Sequence, residues 1–373
     1  MRSTESKARG FSLIELLIAV CLGMIVLAAT TQLFKTGMDA TMLVSQSSEM
    51  QQNVRATLNL IAKDVSMSGS GLPSGGMALP NGNGAVTSLF AVDPTKAWLA
   101  NNGYPSGQVG AAVVPNFMYG IVSGPGNGIE VGGASTTVTA TGKTSDAITV
   151  IYADYAFPLG LYVAKFPAAN PNGDLVNFTP PAAPPAGFPA IQSPTGLQVG
   201  DLILLTNPTG KAVGEITGIT PAAAGTTDVT FANGDPLQMN QSGALTGNIK
   251  SLIAGGAPVA TRLWAVTYFI EIPAAASGQP PRLMRQVNGQ KPAPVADNII
   301  NLTITYDLCD GTNGPNCSGI SDALAAPFSP TQIHKVNIQV MGQTLSSYGN
   351  RSRSTVLTTS VSTRSLSFKD RYQ

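Results

Sequence analysis

The sequence has little of what most catalytic and metal sites require. Histidine occurs once in 373 residues, at His334, which removes most histidine-based metal sites and catalytic triads. No Gly-x-Ser-x-Gly motif and no Cys-x-x-Cys pair is present. Charge is sparse and balanced, with 21 Lys+Arg against 20 Asp+Glu, so no basic patch indicates a nucleic-acid partner. These shortages predict a protein that is not an enzyme, needs no cofactor and does not bind nucleic acid.

Cysteine is also scarce, and its three positions differ in character. Cys21 lies within an apolar run, whereas Cys309 and Cys317 lie close together in the polar stretch "YDLCDGTNGPNCSG". In an oxidising compartment that spacing suits a local disulfide, so we predict a Cys309–Cys317 disulfide and a free Cys21. The Asp and Asn residues of this stretch do not match an EF-hand loop and are ordinary turn formers, so no metal site is predicted.

Proline is absent before Pro73, and the start of the chain is dominated by one apolar run. Residues 1–10 are basic, with Arg2, Lys7 and Arg9 against one acid. The run from Phe11 to Phe34, about 24 residues, would be a helix of about 36 Å, which is enough to cross a bilayer. Basic flanks stay on the cytoplasmic side, so the rest of the chain is expected across the membrane.

Two general explanations of this run leave one residue unexplained. A secretory signal peptide fits the basic head, and Val26 to Ala29 resembles a small-residue cleavage site, but the run is longer than usual. A plain membrane anchor fits its length. Glu15, however, interrupts the apolar run near its start, and an acid within a membrane segment is costly and usually functional.

The stretch "RGFSLIELLIAV" resembles the class III signal of type IV pilins and type II secretion pseudopilins. The resemblance implies that residues 1–10 are a leader peptide and that prepilin peptidase cleaves between Gly10 and Phe11. It also implies that the new N-terminal Phe11 is N-methylated. The acid at Glu15 occupies the family's conserved acidic position, where it sets the register of assembly.

The resemblance gives Glu15 a physical role. In such filaments the helices pack in a staggered bundle, and a buried carboxylate is tolerable when a neighbouring subunit's N-terminal amine pairs with it. Ser12, Glu15, Ala19 and Gly23 recur at helical spacing and predict a small, polar stripe along which helices approach closely. Small residues are also common in any membrane helix, so this alternative stays open for the stripe.

The helix is predicted to continue beyond the membrane. From Lys35 the sequence becomes polar, while apolar residues keep a helical spacing. The periodic positions are Met38, Met42, Met50, Val54, Leu58, Ile61 and Val65. One helix is therefore predicted from about residue 12 to about 68, and its second part should lie against a soluble domain. Gly69 and Gly71 supply the stop signal.

The remaining chain, residues 69–373, is predicted to form a β-rich head. β-branched and aromatic runs separated by turn residues predict strands. They are expected at 84–92, 146–157, 200–207, 226–233, 261–272, 298–308, 334–344 and 354–368. A Gly-rich stretch (69–84) and a Pro-rich stretch (166–199) are predicted to leave the sheet. The fold class is α+β, with a long N-terminal helix packed on a mainly antiparallel head.

The predicted organisation is a leader (1–10), a transmembrane or filament-core helix (11–34), an amphipathic continuation (35–68) and a periplasmic or extracellular head (69–373). "RATLNLIAKDVSMSGSGLP" resembles the helix end of PilW-type minor pilins, with matches at Asp64 and Gly69, although the arginine that usually follows the acid is absent. The resemblance implies a minor pilin that helps to initiate type IV pilus assembly at or near the tip. A type II secretion pseudopilin and an anchored periplasmic binding domain are the alternatives.

The resemblance also implies partners and a location. The partners are prepilin peptidase, other minor pilins, the major pilin and a tip adhesin. Before assembly the chain is expected in the inner membrane, with a single span and its head in the periplasm. After assembly it is expected in the pilus, at the tip.

Overall fold

The computed structural model describes residues 11–73, 76–80, 117–124, 126, 128–131, 134–136, 145–168, 170, 172–192, 195–222, 225–235, 237, 239–240, 247–309, 317–321, 330–344, 352–363 and 366. The chain divides into two units. One comprises residues 1–49 with 344–353, and the other comprises residues 50–343 with 354–373. The leader and the predicted strand at 84–92 lie outside the described residues.

A single long helix, α1 (Leu13–Ser66), opens the described chain and confirms the predicted helix to within two residues at each end. It stops where Gly69 and Gly71 take positive φ angles of 74° and 73°, a backbone conformation that strongly favours glycine. After the turn the Gly69 N–H donates to the Ile151 carbonyl at 2.9 Å, so the chain leaves the helix directly onto a strand.

The buried face of α1 begins at Met50. Its apolar members recur three or four residues apart and pack into the main core. They are Met50, Val54, Leu58, Ile61 and Val65. The prediction that Met38 and Met42 belong to this face is wrong, because their side chains are 69% and 59% exposed.

Nineteen strands are described, and their bounds follow in chain order. They are β1 (Met77–Ala78), β2 (Phe117–Met118), β3 (Ile121–Gly124), β4 (Ile129–Val131), β5 (Ala134–Thr136), β6 (Ala147–Asp154), β7 (Val163–Lys165), β8 (Leu175–Thr179), β9 (Leu202–Asn207), β10 (Gly210–Glu215), β11 (Gly218–Pro221), β12 (Thr227–Thr230), β13 (Val259–Ile272), β14 (Arg282–Val287), β15 (Ala293–Asp297), β16 (Ile299–Cys309), β17 (Cys317–Ser321), β18 (Ile333–Gln343) and β19 (Ser354–Ser362). Short 3-10 helices lie at Leu159–Leu161, Ile249–Gly255, Ala275–Ser277 and Pro330–Gln332.

The strands form three larger sheets and one two-stranded ribbon, β1-β2. The nine-stranded sheet is built on β13, which pairs with β9 and β14 along one edge and with β6 and β4 along the other. Two four-stranded sheets have the orders β11-β12-β8-β7 and β17-β16-β18-β19. Only the pairing of β13 with β4 is parallel among the described strands, which confirms an α+β fold with a mainly antiparallel head.

Two hydrophobic cores lie on opposite faces of the β9 strand. Leu202 and Leu204 join the core that α1 contacts, whereas Ile203 and Leu205 join a second core with the sheet that contains β8. Because consecutive side chains of a strand point to opposite faces, burial on both faces explains the unbroken apolar run "LILL".

The Pro-rich stretch is partly a sheet element. The prediction that all of residues 166–199 leave the sheet is wrong for Leu175–Thr179, which form β8 and alternate buried and half-buried side chains. The later part of the stretch is held by the buried Arg262. Its guanidinium pairs with the Asp154 carboxylate and donates to the Gly196 carbonyl at 2.8 Å.

Candidate assembly site on the N-terminal helix

The first turn of α1 forms a capping box. Ser12 is the N-cap residue, because its carbonyl accepts the first helical hydrogen bond, from the Leu16 N–H. The Glu15 carboxylate accepts a hydrogen bond from the Ser12 N–H at 3.0 Å, and the Ser12 hydroxyl accepts one from the Ile14 N–H at 3.4 Å. Glu15 therefore satisfies a free helix N–H group and places negative charge at the positive end of the helix dipole.

Between this cap and Phe34, the surface of the helix consists mainly of exposed apolar side chains. Phe11 and Leu13 are 87% and 85% exposed, and the large apolar residues that follow are also exposed. The hydroxyls of Thr30 and Thr31 donate to carbonyls of the preceding helical turn, so they need no outside partner. Among the described residues, α1 is the one helix long and apolar enough to cross a membrane. A surface of this kind needs lipid or other helices as its neighbours.

The small, polar stripe lies on this exposed surface. Ser12, Glu15 and Ala19 are exposed, and Gly23 has no atom within 4 Å of the position that a Cβ would occupy. No contact within the described chain therefore requires glycine at this position. The space is open to a neighbouring helix, although a lipid chain would also fill it, so the stripe stays a prediction.

A second polar group lies at the far end of α1, where Asp64 is 3% exposed. Its carboxylate accepts hydrogen bonds from the Tyr268 hydroxyl at 2.5 Å and from the Tyr152 hydroxyl at 3.2 Å. The Arg285 guanidinium donates to the same carboxylate at 3.2 Å and completes an ion pair. Because an acid near the C-terminal end of a helix opposes the helix dipole, this cation is the partner that makes its burial tolerable.

The tyrosines of this cluster stay protonated. Burial, followed by the neighbouring Asp64 carboxylate, raises the pKa of Tyr152 and of Tyr268 above the ordinary value. Both hydroxyls therefore remain hydrogen-bond donors at physiological pH. Tyr152 lies on β6, Tyr268 on β13 and Arg285 on β14, so a single carboxylate connects α1 with three strands of the main sheet.

The head also buries a pair of carboxyl groups, Glu215 and Asp235, which are 1% and 3% exposed. Glu215 accepts from the Leu237 N–H at 2.8 Å, and Asp235 accepts from the Asn240 N–H at 3.0 Å. Burial raises the pKa of Glu215 to about 9, and its hydrogen bond with Asp235 adds to this effect. Through these hydrogen bonds Glu215 attaches the loop that follows β12 to the end of β10, and Asp235 stabilises the loop itself. Among the described residues, no group of three or more His, Cys, Asp or Glu residues is arranged to hold a metal ion.

A family model of the prokaryotic N-terminal methylation motif matches residues 6–31. The chain therefore carries the type IV prepilin motif at the head of a long apolar helix, as the sequence predicted. The motif indicates a type IV pilin-like protein or a pseudopilin, a class that is generally structural, and its helix fits a membrane-anchored pilin. It also implies processing by prepilin peptidase and pilus-related assembly. Neither a curated protein nor a solved structure matches the chain.

The site residues predicted from the sequence have different outcomes. Gly10 lies outside the described residues, so cleavage at Gly10-Phe11 and methylation of Phe11 stay predictions. Cys309 and Cys317 face one another in the register of β16 and β17, which is the backbone arrangement that a cross-strand disulfide needs. Their side chains lie outside the described part of the chain, so the disulfide also stays a prediction.

Sequence reasoning missed two features of the helix. The capping box was readable, because Ser12 and Glu15 have the Ser-x-x-Glu spacing directly before an apolar run. The Asp64 cluster could be predicted from the sequence only in part. An acid between Ile61 and Val65 on a buried helix face requires a partner, but the cation is Arg285, far away in the sequence.

Proposed function

We propose that this chain is a PilW-type minor pilin that helps to initiate type IV pilus assembly at or near the pilus tip. Residues 1–10 are the leader, and prepilin peptidase removes them. The mature chain begins at N-methylated Phe11 and is held in the inner membrane by the apolar helix, with its head in the periplasm. Other minor pilins and the major pilin are its partners, and a tip adhesin is a further one.

The observation that carries the proposal is an exposed apolar helix whose first turn, inside the prepilin motif, carries the Glu15 carboxylate. The capping bond from Ser12 uses Glu15 Oε2, and the same carboxylate has a second oxygen. One hydrogen bond does not compensate a carboxylate in hydrocarbon. The N-terminal amine of a neighbouring pilin subunit supplies the missing cation and thereby sets the register of the two helices.

The end of the helix supports the PilW-type assignment. Asp64 and Gly69 match the pattern of that subtype, and both are structurally constrained here. Asp64 is buried in the cluster with Arg285, and Gly69 has a positive φ angle where the helix ends. No arginine follows the acid closely in the sequence, and Arg285, on β14, supplies the cation that pairs with it.

The test separates the charge of Glu15 from its capping function. Glu15→Gln keeps a side-chain oxygen that accepts from the Ser12 N–H but removes the charge, whereas Glu15→Ala removes both. We expect both variants to be cleaved, inserted and folded normally, because an uncharged helix enters the membrane more easily. Both should lose association with partner pilins, since an uncompensated amine costs about 3 to 5 kcal/mol. Glu49→Gln, at an exposed position of the same helix, is the matched control and should assemble normally.

The measurements are the mass of the N-terminal peptide, the amount of protein in the membrane, co-purification of partner pilins and the number of surface pili. Normal co-purification and normal piliation of Glu15→Gln alongside a defective Glu15→Ala would mean that Glu15 only caps the helix. A strain that lacks this chain and keeps its pili, but fails to secrete proteins, would identify a pseudopilin instead. Assembly-independent binding of a ligand by the full chain would favour the anchored binding domain.

A further inference from the structure

Among the sheet edges that the structure describes, β19 is the longest strand. Natural edge strands are protected against pairing by short length, proline, charge or bulges. The β15 edge contains Pro294 and a register shift, β11 ends at Pro221, and β7 is a three-residue strand that ends at Lys165. The β17 edge has a register shift where it pairs with β16. The β19 strand, "STVLTTSVS", has nine residues and contains no proline, glycine or charged residue.

The pairing of β19 with β18 is regular along its whole length and carries no bulge. At the adjoining positions the Thr344 N–H donates to the Arg353 carbonyl at 2.9 Å, and the Thr363 N–H donates to the His334 carbonyl at 3.0 Å. Hydrogen bonding alternates along an antiparallel pair, so every second residue of β19 points its N–H and C=O away from β18. The outward residues are Ser354, Val356, Thr358, Ser360 and Ser362.

These five residues also carry the exposed side chains of the strand, whereas those between them are half-buried. Val356 is 47% exposed, although it is a large apolar residue. No hydrogen bond from elsewhere in the described chain reaches the outer edge. The edge therefore offers a row of backbone donors and acceptors, about 30 Å long at about 3.4 Å per residue.

We propose that this edge pairs with the β19 edge of a second copy of the chain, antiparallel and centred on Thr358. The two four-stranded sheets would then form one continuous sheet across the interface. The inference does not depend on the function proposed above, since it uses only the register, exposure and composition of β19.

Two identical strands that pair antiparallel about Thr358 are related by a two-fold axis, so the pairing closes with two copies. Thr358 lies opposite its own symmetry mate, Val356 lies opposite Ser360, and Ser354 lies opposite Ser362. All five outward residues are matched, which permits on the order of ten backbone hydrogen bonds. No like charges meet, and a Thr–Thr pair is a favourable cross-strand contact. An interface made by one edge is small, so we expect a weak, reversible dimer.

The test is disulfide trapping of the full chain in detergent, in a Cys21→Ala background. In the proposed register the Cα atoms of position 358 in the two copies lie about 5.5 Å apart, which is within disulfide range. Thr358→Cys should give a covalent dimer under mild oxidation. Ser360→Cys, on the same face of the same strand, is the matched control, because its symmetry mate lies about 13 Å away along the strand. It should crosslink at least about tenfold less than Thr358→Cys.

A double variant provides an independent check of the register. Val356→Cys with Ser360→Cys should crosslink, because these positions face one another between copies. Adding Thr358→Pro should abolish that crosslink, since proline removes an outward N–H without removing a bond to β18. The Cys21→Ala parent should stay monomeric under oxidation. Equal trapping at positions 358 and 360, absence of trapping at both, or trapping only to a different protein in membranes would overturn the proposal.

Discussion

Replacing the buried Asp64 with asparagine should lower the free energy of unfolding of the head by about 2 to 3 kcal/mol. Asparagine keeps the size of the side chain and removes the charge. Three groups then lose a charged acceptor, namely Arg285, Tyr152 and Tyr268. The substitution leaves the Arg285 guanidinium without its ion-pair partner.

The magnitude depends on how far this cluster is shielded from water. Breaking a fully buried ion pair costs about 3 to 5 kcal/mol, because the remaining charge is left uncompensated. The Asp64 side chain is 5% exposed, but the Arg285 side chain is 29% exposed, so hydration of the guanidinium offsets part of the free energy lost with the ion pair. Tyr268→Phe removes the hydrogen bond that the hydroxyl donates to Asp64 and the one that it accepts from the Arg285 Nε–H, and it should cost at least about 1.5 to 2 kcal/mol.

The assay is urea unfolding of the full chain in detergent, followed by tryptophan fluorescence. Trp264, one of the two tryptophans of the chain, lies on β13, the strand that carries Tyr268, so the change in its emission reports on this part of the sheet. Glu49→Gln, at an exposed position on α1, is the control and should change the unfolding free energy by less than about 0.5 kcal/mol. Arg285→Met combined with Asp64→Asn should be less destabilising than the two single changes added together.

Two results would contradict this reasoning. The first is an Asp64→Asn chain whose stability lies within about 0.5 kcal/mol of the unaltered chain, since the cluster would then contribute little. The second is strict additivity of the Asp64 and Arg285 changes, which would mean that the two side chains do not interact energetically even though they are 3.2 Å apart.

Two further predictions concern the head. Alkylation and mass spectrometry of the non-reduced chain should find Cys309 and Cys317 linked and Cys21 free, and detection of two free thiols at 309 and 317 would refute the pairing. Changing both linked cysteines to serine should destabilise that loop by about 2.5 kcal/mol. Because the folded-state pKa of Glu215 is raised to about 9 from 4.5, its contribution to stability is complete below pH 4.5 and is lost as pH rises to about 9. Glu215→Gln should therefore flatten this decline and be the more stable chain at alkaline pH, whereas an unchanged pH profile of unfolding would show that Glu215 is not buried in its neutral form.

Much of the fold was predictable because its signals are local. The limits of α1 follow from helical spacing and from Gly69 and Gly71. Most predicted strands of the described head correspond to observed ones, because β-branched runs between turn residues mark them. The sequence was misleading where burial depends on a distant partner. Met38 and Met42 have the spacing of the buried face but are exposed. The β8 strand was not predicted, because it lies within a proline-rich stretch.

What the sequence by itself determined lies within a few residues of chain: the prepilin motif, the cap formed by Ser12 and Glu15, and an apolar run long enough for a membrane. Each depends on neighbouring residues or on length, so no tertiary information is needed. Only the tertiary structure decided that Arg285 neutralises Asp64, that β9 is buried on both faces and that β19 ends a sheet with its edge free among the described residues. These outcomes depend on which distant strands pair, and pairing is set by the packing of the whole head rather than by any local pattern.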